Sequence, residues 1–190
     1  MQRKKLVPRR FAKKKGMTLI ELMIALTILA IGLLALMGLI LTATATNSRN
    51  RLDSSGTFVA QQFMDAFLNQ TNSGNLTIKD CAGNTITVAT AGPATVGNSL
   101  GANLTSDNTS IDFTQATSGV GANYYASYVT CGTGGRSATY DVRWRVQTID
   151  ANSRMVTVAA RHNPVIGNGT KLAGLYFQAP VNLRSVVTKF

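Results

Sequence analysis

From Leu22 to Leu41 the chain runs for 20 residues with a single polar side chain, Thr27. No other stretch restricts the possible folds so tightly. At about 1.5 Å per residue, a helix of that length covers ~30 Å, the hydrocarbon thickness of a bilayer. A carboxylate, Glu21, stands at the head of the run, and Lys13, Lys14 and Lys15 lie shortly before it. Basic residues on that flank predict that it stays in the cytoplasm and that the rest of the chain lies across the membrane. An ordinary secretory signal peptide also starts with basic residues, and Ala43-Thr44-Ala45 offers a small-x-small cleavage site. Its hydrophobic region, however, is usually about 7–15 residues long and has no place for Glu21. A plain signal anchor accounts for the length, but for neither Glu21 nor Gly16.

Charge follows the same division. The formal net charge is +11, but residues 1–16 hold eight basic residues and no acid, which leaves 11 basic against 8 acidic residues in the remainder. The basic character therefore belongs mainly to the N-terminal leader. A nucleic-acid partner, which calls for a basic patch on a folded domain, is not expected. Two cysteines, Cys81 and Cys131, and one histidine, His162, are too few for a metal site. If the apolar segment exports the chain, the two cysteines enter an oxidising compartment. A disulfide between them would there stabilise the fold by roughly 2–4 kcal/mol; two buried free thiols are the alternative.

The junction "KKKGMTLIELMIAL" closely resembles the class III signal of type IV prepilins and of type II secretion pseudopilins. In that family a short basic leader ends in Gly, followed by an apolar or aromatic residue, then Thr-Leu-Ile/Leu-Glu and an apolar helix. Gly16 matches the last leader residue, Met17 the new N-terminus (where Phe is commoner), and Thr18, Leu19, Ile20 and Glu21 the positions that follow. The resemblance covers about 30 residues. It implies cleavage after Gly16 by a membrane prepilin peptidase, N-methylation of Met17, and retention of the apolar helix in the mature subunit. It gives Glu21 a partner as well: the α-amino group that cleavage creates at Met17, on the same or a neighbouring subunit. An unpaired intramembrane carboxylate is costly and marks function; a Glu snorkelling to the headgroups is the plainer reading.

Beyond Leu41 the helical pattern changes character. Leu52, Val59, Phe63, Ala66 and Phe67 recur near helical spacing with Gln61, Gln62 and Asp65 between them, an amphipathic helix ending around Asn69–Gly74. The weak helix formers of "TATATNSRN" suggest a bend or frayed turn; the apolar helix holds Gly32 and Gly38 but not the proline that major pilins often carry within it. From Leu76 the texture is β. Short strands are expected at 85–89, 110–113 and 124–129. In 139–149 Tyr140, Val142, Trp144 and Val146 alternate with Asp141, Arg143, Arg145 and Gln147, a strand with one apolar face. The turn 150–153 then returns the chain into 154–162, and a last strand follows in 180–190. Arg143 and Arg145 read as a solvated sheet face. Tyr124, Tyr125 and Tyr128 read as core or sheet-surface packing.

These elements predict an α+β fold: a long N-terminal helix, transmembrane then amphipathic, packed on a small antiparallel sheet. The expected divisions are a cleaved leader 1–16, a transmembrane and assembly helix 17–41, an amphipathic continuation 42–72, and a periplasmic or extracellular sheet domain 73–190. No catalytic constellation is present, so neither enzymatic activity nor a cofactor or metal is expected. "ILAIGLLALMGLI" and the "YDVRWRV…MVTVAARH" hairpin resemble PilV-type minor pilins, which prime or assemble a type IV pilus. The alternatives are a minor pseudopilin of a type II secretion system, a DNA-uptake pilin, and a bitopic anchor for a periplasmic binding domain. The implied partners are major and minor pilin subunits, prepilin peptidase and the inner-membrane assembly platform. The implied location is the bacterial inner membrane, with the N-terminus cytoplasmic, and then the pilus fibre or a periplasmic pseudopilus.

Overall fold

A computed structural model describes residues 16–70, 74–132, 137–163, 165–166, 170–171 and 179–188. The order is α1 (Leu19–Leu68), β1 (Leu76–Lys79), β2 (Thr85–Val88), β3 (Ser99–Gly101), a 3-10 turn (Thr117–Gly119), β4 (Tyr125–Cys131), β5 (Ser137–Thr148), β6 (Arg154–His162), β7 (Val165–Ile166), β8 (Thr170–Lys171) and β9 (Val181–Val187). The fold is α+β, one long helix with small antiparallel sheets. Two compact units divide it, Met1–Thr46 and Asn47–Phe190.

In the second unit α1 lays one stripe against the sheet. Val59, Ala60, Phe63 and Phe67 are fully buried, and Met64 nearly so. Phe63 sits 5.6 Å from the Trp144 ring and 5.7 Å, edge-on, from Tyr128; Phe67 meets Trp144 at 6.5 Å. Polar tips of the core aromatics are satisfied. The Tyr140 hydroxyl donates to the Leu52 carbonyl (3.0 Å), Tyr128 to Gln62 (2.8 Å), and Trp144 Nε1 to the Ala89 carbonyl (2.9 Å). Each bond avoids the roughly 1–3 kcal/mol cost of an unpaired buried group.

The main sheet runs β3-β5-β6-β9, with β4 also on β5, all antiparallel. Its centre is the hairpin expected from alternation: β6 spans 154–162 as anticipated, and Tyr140, Val142, Trp144 and Val146 all face the core. Asp150 accepts the Asn152 N–H at 2.8 Å, and Ile149 N–H reaches the Ser153 carbonyl at 3.0 Å, closing the turn. The β3–β5 pair depends on Gly101: with φ +104, a Cβ there would stand 2.3 Å from the Trp144 carbonyl oxygen. Cys81 and Cys131 are joined in a disulfide across 50 positions of sequence, tying the loop after β1 to the end of β4.

Three expectations need correction. Residues 110–113 form no strand, only one bridge, Leu104 to Ile111. Side chains there take the backbone instead: Asp112 accepts the N–H and hydroxyl of Thr114 (2.7 and 2.6 Å), and Asn182 accepts the Ile111 N–H (3.0 Å). The face of β5 bearing Arg143 is not solvated, because the segment after β3 crosses it. Arg143 is 3% exposed and donates to Asp141 (2.9 Å) and to the Gln115 carbonyl (2.6 Å), with its guanidinium 5.0 Å from the Phe113 ring. Finally, 42–50 is helical throughout, with no frayed turn. The hydroxyls of Thr42, Thr44 and Thr46 bond back to carbonyls of the preceding turn at 2.9 Å, so they do not pull the backbone out of the helix.

Candidate functional site: the N-terminal helix and its junction

Gly16, Met17 and Thr18 precede the first helical residue, and all are exposed. Thr18 starts the helix. Its Oγ1 accepts the Glu21 N–H at 3.4 Å and its carbonyl the Leu22 N–H at 3.1 Å, the arrangement of an N-cap residue. Thr18 and Glu21 stand in the Thr-x-x-Glu spacing of a capping box, and Glu21 lies in the first turn, where the helix dipole favours a negative charge. That local role for Thr18 was missing from the sequence expectations, although the spacing carries it. Glu21 thus has a reason to sit at the start of a helix. That reason does not extend to remaining beside 20 apolar residues.

The junction also isolates what the fold itself requires. A Cβ on Gly16 would meet nothing within 4 Å, and the same is true of Gly32 and Gly38. Neither packing nor backbone geometry in the chain demands glycine at these three positions. Within a helix each glycine costs about 1 kcal/mol relative to alanine, so the monomer carries a cost at Gly32 and Gly38 without a visible return. Bare glycine surfaces let another helix approach closely in an apolar medium.

Residues 16–50 are exposed without exception. Ile31, Leu34 and Leu41 are each about 70% open, and Leu19 76%. Among the described residues this is the one helix long and apolar enough to cross a membrane. Lys13, Lys14 and Lys15 lie outside the described residues.

In the second unit the three tyrosines separate: Tyr124 and Tyr128 are buried and Tyr125 lies on the surface, 40% exposed. Burial raises the pKa of the Tyr124 hydroxyl and lowers that of His162, whose ring rests edge-on against Tyr140 at 5.5 Å. Asp141 accepts from Arg143 and sits 3.7 Å from Arg161, and the Arg161 guanidinium lies 4.5 Å from the Phe113 ring. Asp141, Arg143 and Arg161 clamp the crossing segment to the sheet through the Phe113 ring and the Gln115 carbonyl.

Residues 11–37 match the family model described as the prokaryotic N-terminal methylation motif. No curated protein and no solved structure matches the chain. The matched residues take in Gly16, Met17, Glu21 and the first part of the exposed helix, so the motif and the bare apolar surface coincide. The motif supports the type IV prepilin and pseudopilin family, processed by prepilin peptidase, and points to a structural subunit. The single apolar N-terminal helix fits membrane anchoring before assembly.

Proposed function

We propose that this chain is a minor pilin that primes or joins the assembly of a type IV pilus through its N-terminal helix. The observation that carries the reading is the coincidence of the methylation motif with a helical stretch, 19–41, whose apolar side chains are all exposed. Such a surface needs lipid first and other helices afterwards. Prepilin peptidase cuts after Gly16, where the open backbone admits an active site, and methylates Met17. The lysines at 13–15 hold the leader in the cytoplasm and leave with it. Residues 17–41 stay as the assembly helix, and the sheet domain lies outside the inner membrane.

Glu21 supplies register. Cleavage turns Met17 into a cation, and a carboxylate in hydrocarbon is relieved by pairing with an amine. Docking that brings Glu21 to the Met17 amine of its own or a neighbouring subunit is therefore favoured over docking that does not. The "AIGLLALMGLI" run and the hairpin favour a PilV-type minor pilin. The methylation motif is shared with type II secretion pseudopilins, so the fibre itself must decide between the two systems.

Mass spectrometry of the mature N-terminus tests the reading. The expected chain begins at N-methylated Met17, and Gly16→Val leaves it uncut. A first residue at Thr46 would show a secretory signal peptide instead. Glu21→Ala should insert and be cleaved yet be missing from sheared pili; normal incorporation would sink the pairing argument. Recovery of the chain in a secretion pseudopilus and never in pili would assign it to the other system.

A further inference from the structure

The outer face of the sheet carries two kinds of arginine. Arg143 is fully dressed: its guanidinium donates to both Asp141 oxygens and to two carbonyls. Arg145 and Arg184 are not. The ladders set Arg145 of β5, Thr157 of β6 and Arg184 of β9 in one transverse row, so two guanidiniums flank one hydroxyl across about 10 Å of sheet. Arg184 leans inward. Its Nε donates to Thr157 Oγ1 at 3.2 Å and its Nη2 to the Asn108 carbonyl at 2.9 Å. Arg145 donates once, from Nη1 to the Ala102 carbonyl at 3.3 Å, and its Nε is buried with no acceptor. Among the described residues no carboxylate lies within ion-pair distance of either, since Asp141 serves Arg143 and Arg161. Burial first, and then the charge of Arg184, pushes the Arg145 pKa down.

A fold that holds two like charges together with spare N–H donors stores a repulsion that an anion removes. We propose that Arg145 and Arg184, with Thr157 between them, form a binding site for a small oxyanion, either a carboxylate or a phosphate. Arg184 is the exposed member and admits the ligand; Arg145 is the half-buried one that gains most from it. Thr157, itself buried, accepts from Arg184 and so holds that guanidinium in the row with Arg145. The site does not depend on whether the chain enters a fibre.

The test uses the full chain in detergent micelles, with unfolding followed by the fluorescence of Trp144, the one tryptophan. Inorganic phosphate and succinate are titrated separately against sodium chloride at matched ionic strength. One of the two should raise the unfolding midpoint saturably, by about 3–6 °C at ten times its Kd, and which one acts tells a tetrahedral oxyanion from a carboxylate. Arg145→Gln and Arg184→Gln should each abolish the saturable part, and Arg49→Gln should keep it. In chloride alone Arg184→Gln should unfold no earlier than the unaltered chain, which separates loss of binding from loss of folding. A rise that never saturates, or that survives Arg184→Gln, is the general effect of excluded anions and overturns the site, as does a response to neither anion.

Discussion

Two stretches of α1 are rich in apolar residues, and they obey different rules. In 22–41 the apolar side chains point in every direction and none is buried. In 56–67 they form a stripe, and Val59, Phe63 and Phe67 are sealed against Trp144 and its neighbours. A stripe can be covered by one sheet, and this one is. A helix apolar all round cannot be covered by a single neighbour and needs an apolar medium or a bundle. The difference shows that hydrophobic content alone does not say what a segment is for. Its angular distribution does, because it counts the partners the helix must have.

The largest test of that contrast is a pair of truncations. Phe63→Ala should cost about 3–5 kcal/mol of stability in denaturant unfolding. Leu29→Ala, on the exposed stretch, should leave the same transition in place; a comparable loss would break the distinction. Removing the Cys81–Cys131 link with serines should cost roughly 2–4 kcal/mol, since a crosslink over 50 positions restricts the unfolded chain strongly. Thermal unfolding with and without reductant checks it, and N-terminal processing at Met17 should be unaffected.

Arg143→Gln should cost about 2–3 kcal/mol, because it leaves Asp141, 13% exposed, with only the more distant Arg161. Hydrogen exchange should show the loosening in 102–123 before the β5–β6 hairpin. The smallest effect concerns acid. The hydroxyl of Thr105, then that of Thr109, lowers the Asp107 pKa to about 2 from its ordinary 3.8. A depressed carboxylate pKa contributes stability above the unfolded value that is lost as pH falls through the folded one. The 105–110 turn should therefore hold at pH 5 and loosen as pH falls from about 4 towards 2, seen in the amide exchange of Thr109. Thr105→Val should shift that loosening to higher pH.

Much of the fold was legible because its signals are periodic. The β5–β6 hairpin follows from strict alternation and a turn that closes on its own side chains, both local properties. The stripe of α1 follows from spacing near 3.6 residues. Three features escaped for one reason: non-local contacts decided them. Strand β3 is three residues long and held by Gly101 against Trp144. Ile111 lost its strand to side-chain bonds from Asp112 and Asn182. Arg143 looked solvated because alternation gives two faces and does not say whether a later segment will cross one of them. At the N-terminus the Thr18-x-x-Glu21 cap is a local signal, set by spacing alone and masked by the apolar run that follows it.

By itself the sequence determined the long apolar helix, the Gly16–Met17 junction with Glu21 beyond it, and the alternation that builds the central hairpin. These are one-dimensional patterns whose physical meaning depends only on residue type and period. Only the tertiary structure decided which charged residues are buried. The crossing of 102–123 over the sheet buries Arg143 and gives it the Asp112 and Gln115 carbonyls beside Asp141 of its own strand, while Arg145, two residues further along, keeps a buried Nε with no acceptor. Charge is a property of the residue, but its cost is set by the solvent and partners that the rest of the chain brings to it.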